Sequence, residues 1–114
     1  MIQKNIYDYW LVKDIAAYFK LAAGKYDREN VVRIINKPVR YVKRAMITQP
    51  FSFEALRCSY ENNQNMLERI NDMQFDIKMI AKLTPYAAVN YILKGIGYED
   101  YIEDEITAKR LNRE

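Results

Sequence analysis

Five basic side chains fall within one short stretch that holds no acidic residue: Arg33, Lys37, Arg40, Lys43 and Arg44. The chemistry such a cluster offers is attraction of a polyanion. A nucleic-acid phosphate backbone is the polyanion that charge alone can hold, without any reading of bases. If the chain is helical from Val39 onward, Arg40, Lys43 and Arg44 share one face, because positions three and four apart are neighbours on a helix. Tyr41 stands among them and could stack or hydrogen-bond. Pro38 disfavours helical geometry at Lys37 and forces a corner. That corner places backbone N–H groups near a helix N-terminus, where phosphate oxygens are favoured. The candidate DNA-binding set is therefore Lys37, Arg40, Tyr41, Lys43 and Arg44, and the alternative is a basic face that meets only solvent.

Other chemistry is poorly represented. There is no His, which removes imidazole acid–base catalysis and His-based metal sites. One Cys cannot build a Cys/His zinc site. No GxxxxGK[ST] phosphate loop is present, and Gly95-Ile96-Gly97 is followed by Tyr98-Glu99-Asp100 rather than the rest of a GxGxxG loop. No catalytic, cofactor-binding or metal-ligating residue is nominated. Cys58, beside Arg57, reads as a plain buried cysteine, the alternative being a mildly activated thiol. Tyr7, Tyr9 and Trp10 form an aromatic cluster that either caps the first helix or stacks single-stranded bases.

The elements that would position the basic corner read as helices. Asp8 is a candidate N-cap for a helix through Trp10 to about Ala23, with Leu11, Ile15, Tyr18, Phe19 and Ala22 on its buried face and Gly24 as its C′ residue. Asp27 would cap a second helix ending near Asn36. A third, short helix is expected from Val39 to Met46 or Ile47, closed by Pro50. Ser52 caps a fourth, to about Glu61. A fifth runs from Gln64 to Leu83, with Met66, Ile70, Met73, Ile77 and Ile80 as a core stripe. Thr84-Pro85 starts a sixth that stops at Gly95. A last helix, Glu99 to about Leu111, has a thin apolar face of Tyr101, Ile102, Ile106 and Leu111. The spacing thus predicts an all-α, compact bundle of about six to seven helices in one domain over residues 1–114.

Bulk properties agree with a packed helical domain. The 114 residues are 50% hydrophobic with only three Gly and three Pro, so long helices are favoured over many short strands. Residues 1–50 carry ten Lys/Arg against four Asp/Glu, net +6, and residues 51–114 carry eight against eleven, net −3. The basic half is the one that would attract a polyanion. No long apolar run or secretion signal is present, and the lone Cys excludes an internal disulfide, so no membrane partner and a cytoplasmic location are expected.

Two patterns in the first half resemble a known family. Val12-Lys13-Asp14-Ile15, Ala17-Tyr18 and Leu21, followed by Arg33-Ile34-Ile35-Asn36, Pro38 and Arg40, look like the segment of UvrD/Rep-type superfamily 1 DNA helicases that leads into their 2B subdomain. Gly97-Tyr98 resembles a segment further into the same subdomain. The likeness is strong over residues 12–40 and weaker elsewhere. It implies an accessory subdomain that contacts duplex DNA near a single-strand junction in an ATP-dependent 3′–5′ helicase. ATP, Mg²⁺ and the hydrolase activity would belong to motor domains outside this chain, which would have no ATPase of its own and would read as a fragment. The motor domains would be its second partner. Many family members follow Pro-x-Arg with Gly-Ile-Gly, whose backbone approaches the duplex phosphates. Here Tyr41-Val42-Lys43 follows, so contact would rest on side chains. From a different class, the alternative is a helical protein–protein interaction module that binds an acidic partner or those motor domains.

Overall fold

The structure, a computed structural model, describes residues 6–113 in backbone and residues 8–109 in side-chain detail. Tyr7 of the aromatic cluster and Leu111 of the last helix therefore lie outside the described side chains. Among the described residues six α-helices make the fold: α1 Ile6–Ala22, α2 Arg28–Ile34, α3 Phe53–Ser59, α4 Gln64–Lys82, α5 Pro85–Asn90 and α6 Tyr98–Arg113. There is no strand among the described residues, so the all-α expectation holds.

The helix ends follow from local chemistry. α1 closes in a Schellman motif. Gly24 takes φ +87°, Gly24 N–H donates to Leu21 O, and Lys25 N–H reaches back to Lys20 O. Asp8 lies inside the first turn of α1 rather than at its cap. Ser52, Asn63 and Thr84 each accept a hydrogen bond from the backbone N–H three residues on, capping α3, α4 and α5. Asp27 occupies the N-cap of α2 without a side-chain cap bond. Instead Gln49 Oε1 accepts from Arg28 N–H at 2.7 Å, so a distant side chain satisfies that helix start. α5 widens into a π-helical turn, Tyr91–Gly95, before α6.

The core gathers along α4. Met66, Ile70, Met73, Ile77 and Ile80 are all buried, which is the outcome the 4-3-4-3 spacing required. Val31 and Ile34 of α2, Leu56 of α3, Ala88 of α5 and Ile92 complete the interior, with Tyr26, Phe51 and Phe53 packed edge to face. The inward face of α1 is centred on Asp14, Ala17, Tyr18 and Leu21. The expected Leu11, Ile15, Phe19 and Ala22 flank it and are only partly buried.

The expected helix over Val39 to Ile47 is absent. Residues 39–43 are non-helical, and a single 3₁₀ turn spans Arg44–Met46. Asn36 is the physical reason. Its Oδ1 accepts from Arg40 N–H at 3.2 Å and from Val42 N–H at 3.1 Å, and its Nδ2 donates to Val42 O at 2.9 Å. One side chain thus satisfies backbone groups that a helix would otherwise pair. The Lys37–Pro38 and Gln49–Pro50 peptide bonds, at either end of the segment, are both cis.

Candidate nucleic-acid interface

Beneath the basic corner lies a buried polar knot. Asp14, fully inaccessible to solvent, receives the Tyr98 hydroxyl and the Lys37 ammonium, whose Nζ lies 3.2 and 3.3 Å from its two oxygens. Arg33 Nε sits 2.8 Å from Oδ1 but without hydrogen-bond alignment, so that contact is ionic only. One carboxylate is thus set against two cations from α2 and the corner, and against a phenol from the start of α6. A buried charge survives only with such partners. Burial and the Asp14 charge together push the Tyr98 phenol well above its usual range.

Arg40 belongs to the same interior. Its side chain is buried, with Nη1 donating to Ile34 O at 3.0 Å and Ile35 O at 2.9 Å, and Nη2 donating to the Tyr18 hydroxyl at 2.9 Å. The Tyr18 hydroxyl in turn donates to Lys37 O at 2.7 Å. The guanidinium therefore caps the C-terminal carbonyls of α2, where the helix dipole favours a cation. Burial raises the Tyr18 phenol pKa, and the adjacent Arg40 charge offsets part of that rise.

The five expected site residues consequently divide. Arg40 does not share a face with Lys43 and Arg44, because no helix forms there and its side chain turns inward. Lys37 is half-buried, engaged with Asp14 and lying 5.7 Å from the centre of the Trp10 ring. Tyr41, Lys43 and Arg44 are exposed. Tyr41 has φ +62°, the left-handed region that favours glycine, and its ring lies 5.0 Å from the Arg69 guanidinium of α4. The backbone that carries Lys43 and Arg44 is held from two sides. Lys43 N–H donates to the Tyr60 hydroxyl at 2.9 Å, and the Arg28 guanidinium donates to Ile47 O at 2.9 Å and Arg44 O at 3.3 Å. The result is a fixed loop with two cationic side chains directed to solvent and a third cation, Arg69, beside Tyr41.

Sequence reasoning missed Asp14 and Tyr98 as the centre of this arrangement and Arg69 as its neighbour. The available signal was an acid in the middle of a helical face: Asp14 stands three and four residues before the core residues Ala17 and Tyr18. Cys58, expected to be buried, is exposed. It lies on the outer side of α3, whose Phe53 and Leu56 face inward. Arg57 is directed away from it, toward Gln74 at 2.6 Å and Asn71 at 3.4 Å on α4.

Elsewhere the Tyr91 hydroxyl of the π turn donates to Asp76 on α4 at 2.7 Å. Burial first, and that carboxylate second, push the Tyr91 phenol up to about 12. Burial also raises the Asp76 carboxyl. Among the described residues no helix is long and apolar enough to cross a membrane. No protein-family model, no curated protein and no solved structure matches this chain.

Proposed function

We propose that this chain is the accessory, duplex-DNA-contacting subdomain of an ATP-dependent 3′–5′ helicase of UvrD/Rep type, with no ATPase of its own. The observation that carries the reading is the backbone at Tyr41. Tyr41 stands where the resembled family has the first glycine after Pro-x-Arg, and it holds a glycine-type φ of +62°. An L-residue in that conformation costs about 1–2 kcal/mol, so the surrounding fold imposes the corner shape on a residue that does not favour it. The corner then offers phosphates the Lys43 and Arg44 side chains, with Arg69 alongside. These are point charges that hold a backbone without reading sequence. ATP and Mg²⁺ would be held by motor domains outside these residues, and the chain would sense or hold the duplex ahead of them.

The alternative partner is a protein surface, such as those motor domains or an acidic protein that meets the exposed Lys43 and Arg44. Fluorescence anisotropy of a labelled blunt duplex at a series of salt concentrations tests the DNA reading. Each phosphate contact contributes about 0.9 to the slope of log affinity against log salt, so Lys43→Ala/Arg44→Ala should lower that slope by about 1.8. Duplex binding that ignores salt, or that survives the double substitution unchanged, overturns the assignment.

A further inference from the structure

The groove between α1 and α2, whose lining shares no residue with the 41–44 loop, carries its own charge and its own aromatic ring. We infer that it is a binding site for the phosphodiester backbone of single-stranded nucleic acid. The groove measures about 290 Å³ and is lined by Tyr9, Lys13 and Lys20 of α1 and by Glu29, Asn30 and Arg33 of α2. Ala16 and Ala17 form its floor, and their short side chains leave the space open.

Three cations face one carboxylate. Arg33 is paired with Asp14, but Asp14 already has Lys37 as a second cation, so the knot beneath the groove does not cancel the positive charge above it. Arg33 keeps 37% of its side chain exposed, which leaves part of the guanidinium open to the groove. Lys13 and Lys20 are both exposed and lie two helical turns apart, about 10 Å along the axis. Successive phosphates along a strand match that spacing, and competition by inorganic phosphate distinguishes a strand from a single ion.

Tyr9 marks the strand as single. Its ring is 55% exposed at the end of the groove, with Lys13 Nζ 5.5 Å from the ring centre. A base paired inside a duplex offers no free face to such a ring. An unpaired base does, and stacking on an aromatic ring beside a cationic track is how single strands are held without sequence preference.

The test uses a labelled oligo(dT) followed by anisotropy. Binding should weaken with salt, and Lys13→Ala/Lys20→Ala should lower the salt slope by about 1.4, two single-strand contacts at about 0.7 each. Tyr9→Ala should weaken binding about five-fold or more. All three positions are exposed, so the variants should keep the wild-type circular dichroism. Lys43→Ala/Arg44→Ala should weaken duplex binding more than oligo(dT) binding and Lys13→Ala/Lys20→Ala the reverse, which separates this groove from the duplex-contacting loop whichever of the two fails. Unaltered oligo(dT) binding in the Lys13/Lys20 variant overturns the inference. So does displacement of oligo(dT) by inorganic phosphate at an equal phosphate concentration, since the groove would then be a site for one ion.

Discussion

Arg40 separates structure from DNA contact, and Arg40→Met tests the separation. Methionine keeps the apolar stem and removes three hydrogen bonds from a charged donor: to Ile34 O, Ile35 O and the Tyr18 hydroxyl. The losses are unequal. Ile34 O still accepts from Lys37 N–H at 3.0 Å, and the Tyr18 hydroxyl still donates to Lys37 O. Ile35 O is the group left without its donor. Bonds to a charged group contribute about 1.5–3 kcal/mol each, and the guanidinium no longer has to be desolvated, which offsets part of the sum. A net destabilisation of about 2–4 kcal/mol is expected. At this chain length about 4 °C of melting temperature corresponds to each kcal/mol, so the midpoint should fall by about 8–16 °C. Thermal and urea unfolding followed by circular dichroism measure it. At a temperature where the variant stays folded, its salt slope for duplex should equal that of wild type, because Arg40 presents no charge to solvent. A wild-type melting temperature combined with a lowered salt slope refutes the reasoning, since it would mean that the guanidinium faces DNA and not the α2 carbonyls.

Two further outcomes follow from the same geometry. Tyr41→Gly should be more stable than Tyr41→Ala by about 1 kcal/mol, because both lose the exposed ring while only glycine accepts φ +62° freely; the opposite order in urea unfolding would show that the backbone there is not left-handed. Tyr18, Tyr91, Tyr98 and Tyr101 all hold their protons beyond the usual phenol range, chiefly through burial, with Tyr91 up to about 12. A folded value raised above the unfolded one gives stability that is complete below about pH 10 and is lost as pH rises through the folded values. Urea midpoints should therefore decline from about pH 10 upward, and in ultraviolet titration these four tyrosines should ionise late. Uniform ionisation of all ten tyrosines while the chain is still folded would contradict this.

What the sequence revealed were features whose causes lie a few residues apart. The caps at Ser52 and Thr84, the Gly24 stop and the stripe from Met66 to Ile80 are all local, and each appears as its spacing requires. What it concealed depends on partners far along the chain. Asp14 is satisfied from Arg33, Lys37 and Tyr98, the last lying 84 residues away. The segment 39–47 has charges at helical spacing, yet contacts from Asn36, Arg28 and Tyr60 hold it outside a helix. Local periodicity is a weak prior where tertiary hydrogen bonds satisfy the backbone. The five basic residues looked alike in sequence because charge is visible there and direction is not. Arg40 and Lys37 end inside or against the knot, and Lys43 and Arg44 end in solvent.

Under the proposed reading, that division bears on how so few charges would hold DNA. Asp14, Tyr18, Arg33, Asn36 and Arg40, five of the residues in the segment that resembles helicases, all contact the interior of the corner, and none of them is fully exposed. Their role is shape. A residue in a costly left-handed conformation persists only where its surroundings over-determine it, and Tyr41 meets that condition. Asn36 bonds the backbone on both sides of it, at Arg40 and at Val42, while Arg40 is anchored to the end of α2. The loop is therefore ordered before any ligand arrives. A preordered loop forfeits little conformational entropy on binding, and ordering is one of the main costs that reduce affinity below what contacts alone would give. Lys43 and Arg44, with backbones already fixed by Tyr60 and Arg28, need to immobilise only their own side chains. Disrupting Asn36 should accordingly weaken duplex binding without removing any charge: Asn36→Ala should lower affinity while the salt slope stays at the wild-type value, because the number of phosphates neutralised is the same and only the cost of ordering the loop has risen.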